Sequence, residues 1–303
     1  MPVENTGRIP VIVIAGPTAS GKTALSIDLA QKLNGEIVSA DSMQIYKYMN
    51  IGTAKPDLNE RAGIPHHMMD IIEPWEEYSV AQYTQTARQV MKEIAGRGHT
   101  PIVVGGTGLY ISGLVENIVY EDTEVDPALH AELERYAQAQ GAEALHKRLQ
   151  ACDPKAAEEI HANNVKRVLR ALEMRLTTGL TLEERNLRSK SGPREFDYTV
   201  YAIDMDRAIL YDRIDRRVGM MAEAGLVEEV RRVDAMGMSR TARQGIGYKE
   251  ILAHFTGKMS LEEALDQIRQ GSRNYAKRQL TWFRRPDWVS WKSADEIRKI
   301  YHV

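Results

Sequence analysis

One eight-residue string constrains this chain more than any other. Gly16-Pro17-Thr18-Ala19-Ser20-Gly21-Lys22-Thr23 is a full match to the G-x-x-x-x-G-K-[ST] phosphate loop. A short β-branched run, residues 11–14, precedes it, and a helical pattern over 24–33 follows, ending near Asn34-Gly35. Strand, glycine loop and helix is the setting the motif requires. Gly16 and Gly21 let the backbone curl with its N–H groups inward, and the helix N-terminus adds positive potential. Lys22 supplies a mobile point charge, and Thr23 offers a hydroxyl to a phosphate-bound Mg²⁺. A chance glycine turn before a helix would not account for all eight residues. The loop 16–23 is expected to hold a di- or triphosphate-like group.

Which phosphate compound it holds depends on the next strands. In most phosphate-loop ATPases an apolar strand ends in an Asp that helps to hold Mg²⁺. Ile102-Val103-Val104 is the candidate, yet it runs into Gly105-Gly106-Thr107-Gly108, with no carboxylate. The strand that does end in an acid is 36–40, followed by Asp41-Ser42-Met43-Gln44. It is expected to neighbour the loop's own strand, which places Asp41 where open α/β sheets bind ligands. Asp41 as a mere cap on the next turn is the competing reading. The missing acid weakens the case for ordinary ATP hydrolysis.

At 303 residues the chain suits two domains, or one with an insertion. Its 43% hydrophobic and 27% charged residues suffice for a sizeable core. A single cysteine, Cys152, excludes an intramolecular disulfide and a multi-cysteine zinc site. The first strand begins so close to residue 1 that no signal peptide is expected, and no apolar stretch is long enough to span a membrane. A cytoplasmic monomer is expected. A net charge of −2 argues against general polyanion coating but leaves room for a local basic groove.

Strands alternate with helical patterns over 9–119, predicting a P-loop NTPase-like parallel sheet flanked by helices. After Tyr120 the acidic, turn-rich stretch 121–126 marks a boundary, and helical segments follow near 127–140, 142–151, 154–161 and 164–178. Asp153-Pro154 reads as a cap with a first-turn proline, and Gly179 as a helix stop. The expected organisation is a core of 1–120 and 197–303, interrupted by an all-helical insertion over 121–196. A strand returns at 198–203, and long helices run from about 207 to 236.

Residues 272–285 carry five basic residues and no acid. At helical spacing Arg273, Lys277 and Arg284 line up, Arg278 and Arg285 flank them, and Tyr275, Trp282 and Phe283 adjoin. An amphipathic surface helix with core aromatics is one reading, and a phosphate-tracking edge is the other. Lys166, Arg167 and Arg170 form a second basic cluster in the insertion. Two such clusters in a nearly neutral chain favour a nucleic-acid track. His66-His67 is set aside as a metal site, because neighbours in a strand point to opposite faces. Met220, Met221, Met236 and Met238 read as gap-filling core residues.

Together these strings resemble the tRNA dimethylallyltransferase (tRNA isopentenyltransferase) family, bacterial type. The likeness rests on residues 16–23, on Ser39-Ala40-Asp41-Ser42-Met43-Gln44-Ile45-Tyr46, and on Gly52-Thr53-Ala54-Lys55-Pro56 and Pro65-His66-His67. It continues through Gly105-Gly106-Thr107-Gly108-Leu109-Tyr110, Gln244-Gly245-Ile246-Gly247-Tyr248-Lys249-Glu250 and Ala276-Lys277-Arg278-Gln279-Leu280-Thr281-Trp282. With a single cysteine, no zinc-finger extension like that of the eukaryotic members is expected. A family arginine after the Gly-Gly-Thr-Gly motif has only His130 as its nearest equivalent, and that role is not carried over.

The resemblance implies transfer of a dimethylallyl group from its diphosphate to N6 of adenosine 37, beside the tRNA anticodon. Lys22, Arg243, the loop amides and Mg²⁺ near Thr23 would stabilise the departing diphosphate. Asp41 would take the amine proton, with Thr107 bonded at the same centre and the adenine flipped out of its stack. The implied tRNA contacts are Asp41, Ser42, Met43, Gln44, Gln244, Gly247 and Tyr248. The basic residues Lys166, Arg167, Arg170, Arg273, Lys277, Arg278 and Arg284 would grip the anticodon arm. An apolar pocket is expected beyond the loop. An adenylate isopentenyltransferase acting on free AMP or ATP is the nearest rival. A small-molecule kinase and a non-catalytic RNA-binding switch stand further off.

Overall fold

Six parallel strands form one sheet in the order β3-β2-β4-β1-β5-β6. They are β1 Ile9–Ala15, β2 Gly35–Ala40, β3 His66–His67, β4 Thr100–Gly105, β5 Phe196–Ile203 and β6 Val289–Lys292. The computed structural model describes residues 7–120, 126–190 and 192–303, so most of the acidic boundary expected at 121–126 lies outside the described residues. A sheet of this kind is covered on both faces, which is why β1 and β2 read as near-continuous apolar runs. One face packs Val11, Val13, Val38 and Val103 against Tyr83, Ala87 and Met91; the other packs Ile12, Ile14, Ile37 and Ile102 against Leu25 and Leu29.

The helices start and stop where local chemistry dictates. Helix α1, Lys22–Leu33, leaves Gly21 and ends at Asn34 in the left-handed region. Helix α2, Val80–Gly96, opens on a Ser79–Gln82 capping box. Helix α3, Gly108–Val115, follows β4.

The chain divides into two units, one of residues 116–193 and the other of the rest. Among the described residues the smaller unit is all helical, and it spans 116–193 where the sequence suggested 121–196. It holds α4 Pro127–Gln140, α5 Ala142–Cys152, α6 Pro154–Glu159, α7 Val165–Thr178 and α8 Leu182–Ser189. Leu133, Leu145, Leu149, Val168 and Leu172 form its core. The Asp153 carboxylate caps α6 through Ala156 N–H at 3.1 Å and accepts from Leu182 N–H at 2.7 Å.

In the larger unit β5 leads to α9 Arg207–Glu223 and α10 Leu226–Met236, separated at Gly225. Then come α11 Arg240–Arg243, α12 Tyr248–Phe255, α13 Leu261–Phe283 and α14 Ala294–Tyr301. Among the described residues no helix is long and apolar enough to cross a membrane.

Candidate active site

The register brings three strand ends together: Ala15 of β1 pairs with Gly105 of β4, which pairs in turn with Ala40 of β2. The loop's strand and the Asp41 strand are therefore not direct neighbours, contrary to the sequence expectation, because β4 lies between them. Phosphate loop and Asp41 stand two strand spacings apart, roughly 10 Å. The Gly106-Thr107 turn fills the gap. All three elements border one cleft of about 730 Å³.

On the loop side, Gly16 and Gly21 have φ of 137° and 90°, conformations that need glycine. Lys22 Nζ donates to the carbonyls of Gly16 at 3.0 Å and Pro17 at 2.6 Å. Burial, then the charge of Arg217, lowers Lys22 to about 7, with Asp41 acting in the opposite sense. Arg217 reaches in from α9, with Nη1 3.3 Å from Thr18 Oγ1, and burial lowers its pKa too. In the same loop the Ser20 hydroxyl is buried with no hydrogen-bond partner among the described residues. Two desolvated basic side chains at the N-terminus of α1 make a site that an anion would relieve. Thr23 also lines the cleft, and no cluster of three or more metal-binding side chains exists among the described residues.

Across the cleft, Asp41 Oδ1 accepts from the N–H groups of Met43 at 2.9 Å and Gln44 at 3.3 Å. It does cap the turn, but with one oxygen, and Oδ2 is left unpartnered among the described residues. Thr107 is fixed beside it. Its N–H donates to Ala40 O at 3.1 Å, and its hydroxyl accepts from Ser42 N–H at 3.0 Å and donates to Ser42 Oγ at 3.3 Å. Tyr275 of α13 lines the same stretch; burial and then Asp41 push its phenol up to about 12, so it stays neutral.

Several expected contacts are placed elsewhere. Arg243 does not reach the phosphate loop: its guanidinium is held by Asp234 at 2.6 Å, and Arg217 occupies the position expected of it. Tyr248 is fully buried, so it cannot touch a large ligand. Its hydroxyl donates to Glu229 at 2.6 Å, and Glu229 also accepts from the N–H groups of Asn50, Ile51 and Gly52. That buried carboxylate, with Lys55 donating to Tyr46 O and Asp70, pins the irregular segment that borders the cleft. Gly247 is a turn, its N–H bonded to Glu250. Gln44 spends its amide on Ser39, Thr53 and Ala54, although it lines the cleft. Gln244 is exposed, and Met43 packs against the Gly245 turn.

The basic clusters divide similarly. Arg273 is neutralised by Asp215 at 2.6 Å, Arg278 lies over Tyr275 and Arg284 over Trp291. Lys277 is exposed without an ionic partner among the described residues. In the helical unit Lys166 and Arg167 are likewise exposed, while Arg170 is 3.6 Å from Glu173. Glu173 also engages His130. His67 points to Glu36 at 2.6 Å and His66 lines the cleft, the opposite facing that strand geometry requires. The cleft wall is mixed rather than wholly apolar: Ile37, Val104, Met69 and Met221 share it with Asn50, Asp57 and Glu60. Met220 also lines it and, like Met236, is exposed rather than core. Arg217 and Gln279 are the residues that sequence reasoning missed; both sit on helices far along the chain.

Comparison with known proteins gives a consistent result. A family model described as IPP transferase matches residues 44–286, and one described as isopentenyl transferase matches residues 9–70. A tRNA dimethylallyltransferase of Acetivibrio thermocellus is 50% identical, over 95% of this chain and 92% of that protein. One from Bacillus cytotoxicus is 49% identical, over 99% and 95%. The crystal structure of the Bacillus halodurans tRNA isopentenylpyrophosphate transferase superposes with a TM-score of 0.72 at 41% identity, covering 97% of this chain and 95% of that one. A eukaryotic dimethylallyltransferase acting on tRNA gives 0.81 at 33% identity, covering 94% and 74%.

Proposed function

The chain belongs to the IPP transferase family, and from that premise we propose that it moves the dimethylallyl group of dimethylallyl diphosphate onto N6 of adenosine 37 in tRNA, releasing diphosphate. It is a prenyltransferase; the proposal adds the acceptor atom and the residues. The observation that carries it is the pairing, within one cleft, of an anion site built from Lys22 and Arg217 with a carboxylate oxygen on Asp41 that is free to take a proton. A kinase or ATPase would want a carboxylate at the end of β4, where Gly105 stands instead.

The diphosphate lies on the loop amides, where Lys22 leaves the carbonyls of Gly16 and Pro17 to meet it. The C–O bond breaks with its electron pair going to the diphosphate, whose growing charge Lys22 and Arg217 stabilise. The N6 amine, turned out of the anticodon stack, forms the C–N bond and gives its proton to Asp41 Oδ2. Thr107, locked to Ser42, orients that amine. Mg²⁺ would be held by the Thr23 hydroxyl together with the ligand's own oxygens, and there it would add charge neutralisation. Lys277, Lys166 and Arg167 contact phosphates of the anticodon arm, and the protein acts as a monomer.

The deciding assay offers purified protein labelled dimethylallyl diphosphate with unmodified tRNA or with AMP. Label should enter tRNA alone, and diphosphate should appear only with an acceptor present. Label in AMP would favour the adenylate enzyme; ATP hydrolysis without transfer would favour the kinase.

A further inference from the structure

Gln279 of α13 is 4% exposed and spends both ends of its amide on the active site. Its Oε1 accepts from the N–H of Thr18 in the phosphate loop at 2.9 Å, and its Nε2 donates to the carbonyl of Gly106 at 2.9 Å. A backbone donor faces one end and a backbone acceptor the other, so only one orientation of the amide satisfies both. No shorter or branched side chain could span the two. Gly106 completes the fit: a Cβ there would lie 2.0 Å from Nε2. One turn along the same helix, Trp282 donates to Ser112 Oγ at 3.0 Å, and its ring lies where a Cβ on Gly108 would stand. The helix is thus stitched to the turn carrying Thr107, to α3 just after it and to the phosphate loop.

We propose that Gln279 is a positioning residue that sets the distance between the diphosphate leaving group and the amine-binding turn. The proposal rests on the prenyl-transfer reading above. The reaction joins an electrophile held by one loop to a nucleophile held by another, so their separation matters more than either affinity. A displacement of 1 Å far from the bonds being made can cost about 10²-fold in rate. Gln279 borders the cleft, but both polar atoms of its amide are spent on Thr18 and Gly106, and it acts through them.

Gln279→Met keeps the bulk beneath the helix and removes both hydrogen bonds. It should lower the single-turnover rate about 10- to 100-fold, with the KM for tRNA and for dimethylallyl diphosphate each within about threefold of wild type. Gly106→Ala strikes the same link from the other side, so the double variant should be no slower than the slower single variant. A wild-type single-turnover rate in folded Gln279→Met, whatever its melting temperature, overturns the proposal. So does a raised KM for dimethylallyl diphosphate at unchanged kcat, or rate losses that multiply in the double variant. If the methionine variant does not fold, Gly106→Ala alone is judged by the same rate and KM criteria. Failure of wild-type protein to prenylate tRNA would instead overturn the functional reading.

Discussion

Asp41→Asn separates proton acceptance from turn formation, because the structure assigns the two jobs to different oxygens. Oδ1 takes the N–H groups of Met43 and Gln44, and an asparagine carbonyl can keep both bonds. Oδ2 becomes an amide nitrogen, which cannot accept a proton. Losing a general base costs about 10²–10⁴ in rate, or roughly 3–5 kcal/mol of barrier. Asp41→Ala removes both functions, so it should lose as much rate and also about 1 kcal/mol of stability from the lost cap. The assay is a single-turnover measurement with saturating tRNA, beside a thermal melt of each variant. The expected pattern is two slow enzymes, of which only the alanine variant melts early. A wild-type rate in Asp41→Asn would refute the reasoning and reduce Asp41 to its turn.

Three further outcomes follow from the same geometry. With Lys22 lowered to about 7 when the loop is empty, diphosphate binding above that pH must take up a proton, so affinity should fall about fivefold from pH 7 to pH 8. Calorimetry in buffers of different ionisation enthalpy checks this, and binding without proton uptake at pH 8 would contradict it. Arg217→Ala should weaken inorganic diphosphate binding at least tenfold, the loss expected for a charge-assisted contact, whereas Arg243→Ala should stay within about twofold. Equal effects in the two variants would return Arg243 to the loop. Lys277→Ala and Arg167→Ala should each reduce the log-log salt slope of tRNA binding by about one, with diphosphate affinity untouched; an unchanged slope would make those side chains mere surface.

Legibility in the sequence tracks the range of the contacts. The phosphate loop, the Asp153 cap and the Gly179 stop are written in a few adjacent residues, and the structure forms each of them there. Asp41 was findable because a strand must end somewhere, but its distance from the loop depended on β4 inserting between β1 and β2. Arg217 carried no local mark, and Gln279 stood in a string of the resemblance without a role: each is one polar residue on an amphipathic helix until tertiary packing aims it. Tyr248 shows the converse: the resemblance alone made it a tRNA contact, and only Glu229, 19 residues away, reveals a buried phenol. The four-residue β6 escaped notice because so short an edge strand has no period to detect.

The placement of β5 beside β1 also sets the timetable by which this protein can be made. Ile9 of β1 pairs with Phe196 and Ala15 with Ala202, partners 187 residues downstream in each case. At roughly 5–20 residues per second a ribosome needs some 10–40 s to supply them. For that interval one edge of an uncharged, β-branched strand has no lawful neighbour, the state in which strands recruit other chains. The residues emerging meanwhile include the helical unit, whose contacts are local and close quickly. The phosphate loop, built first, is among the last parts to be framed.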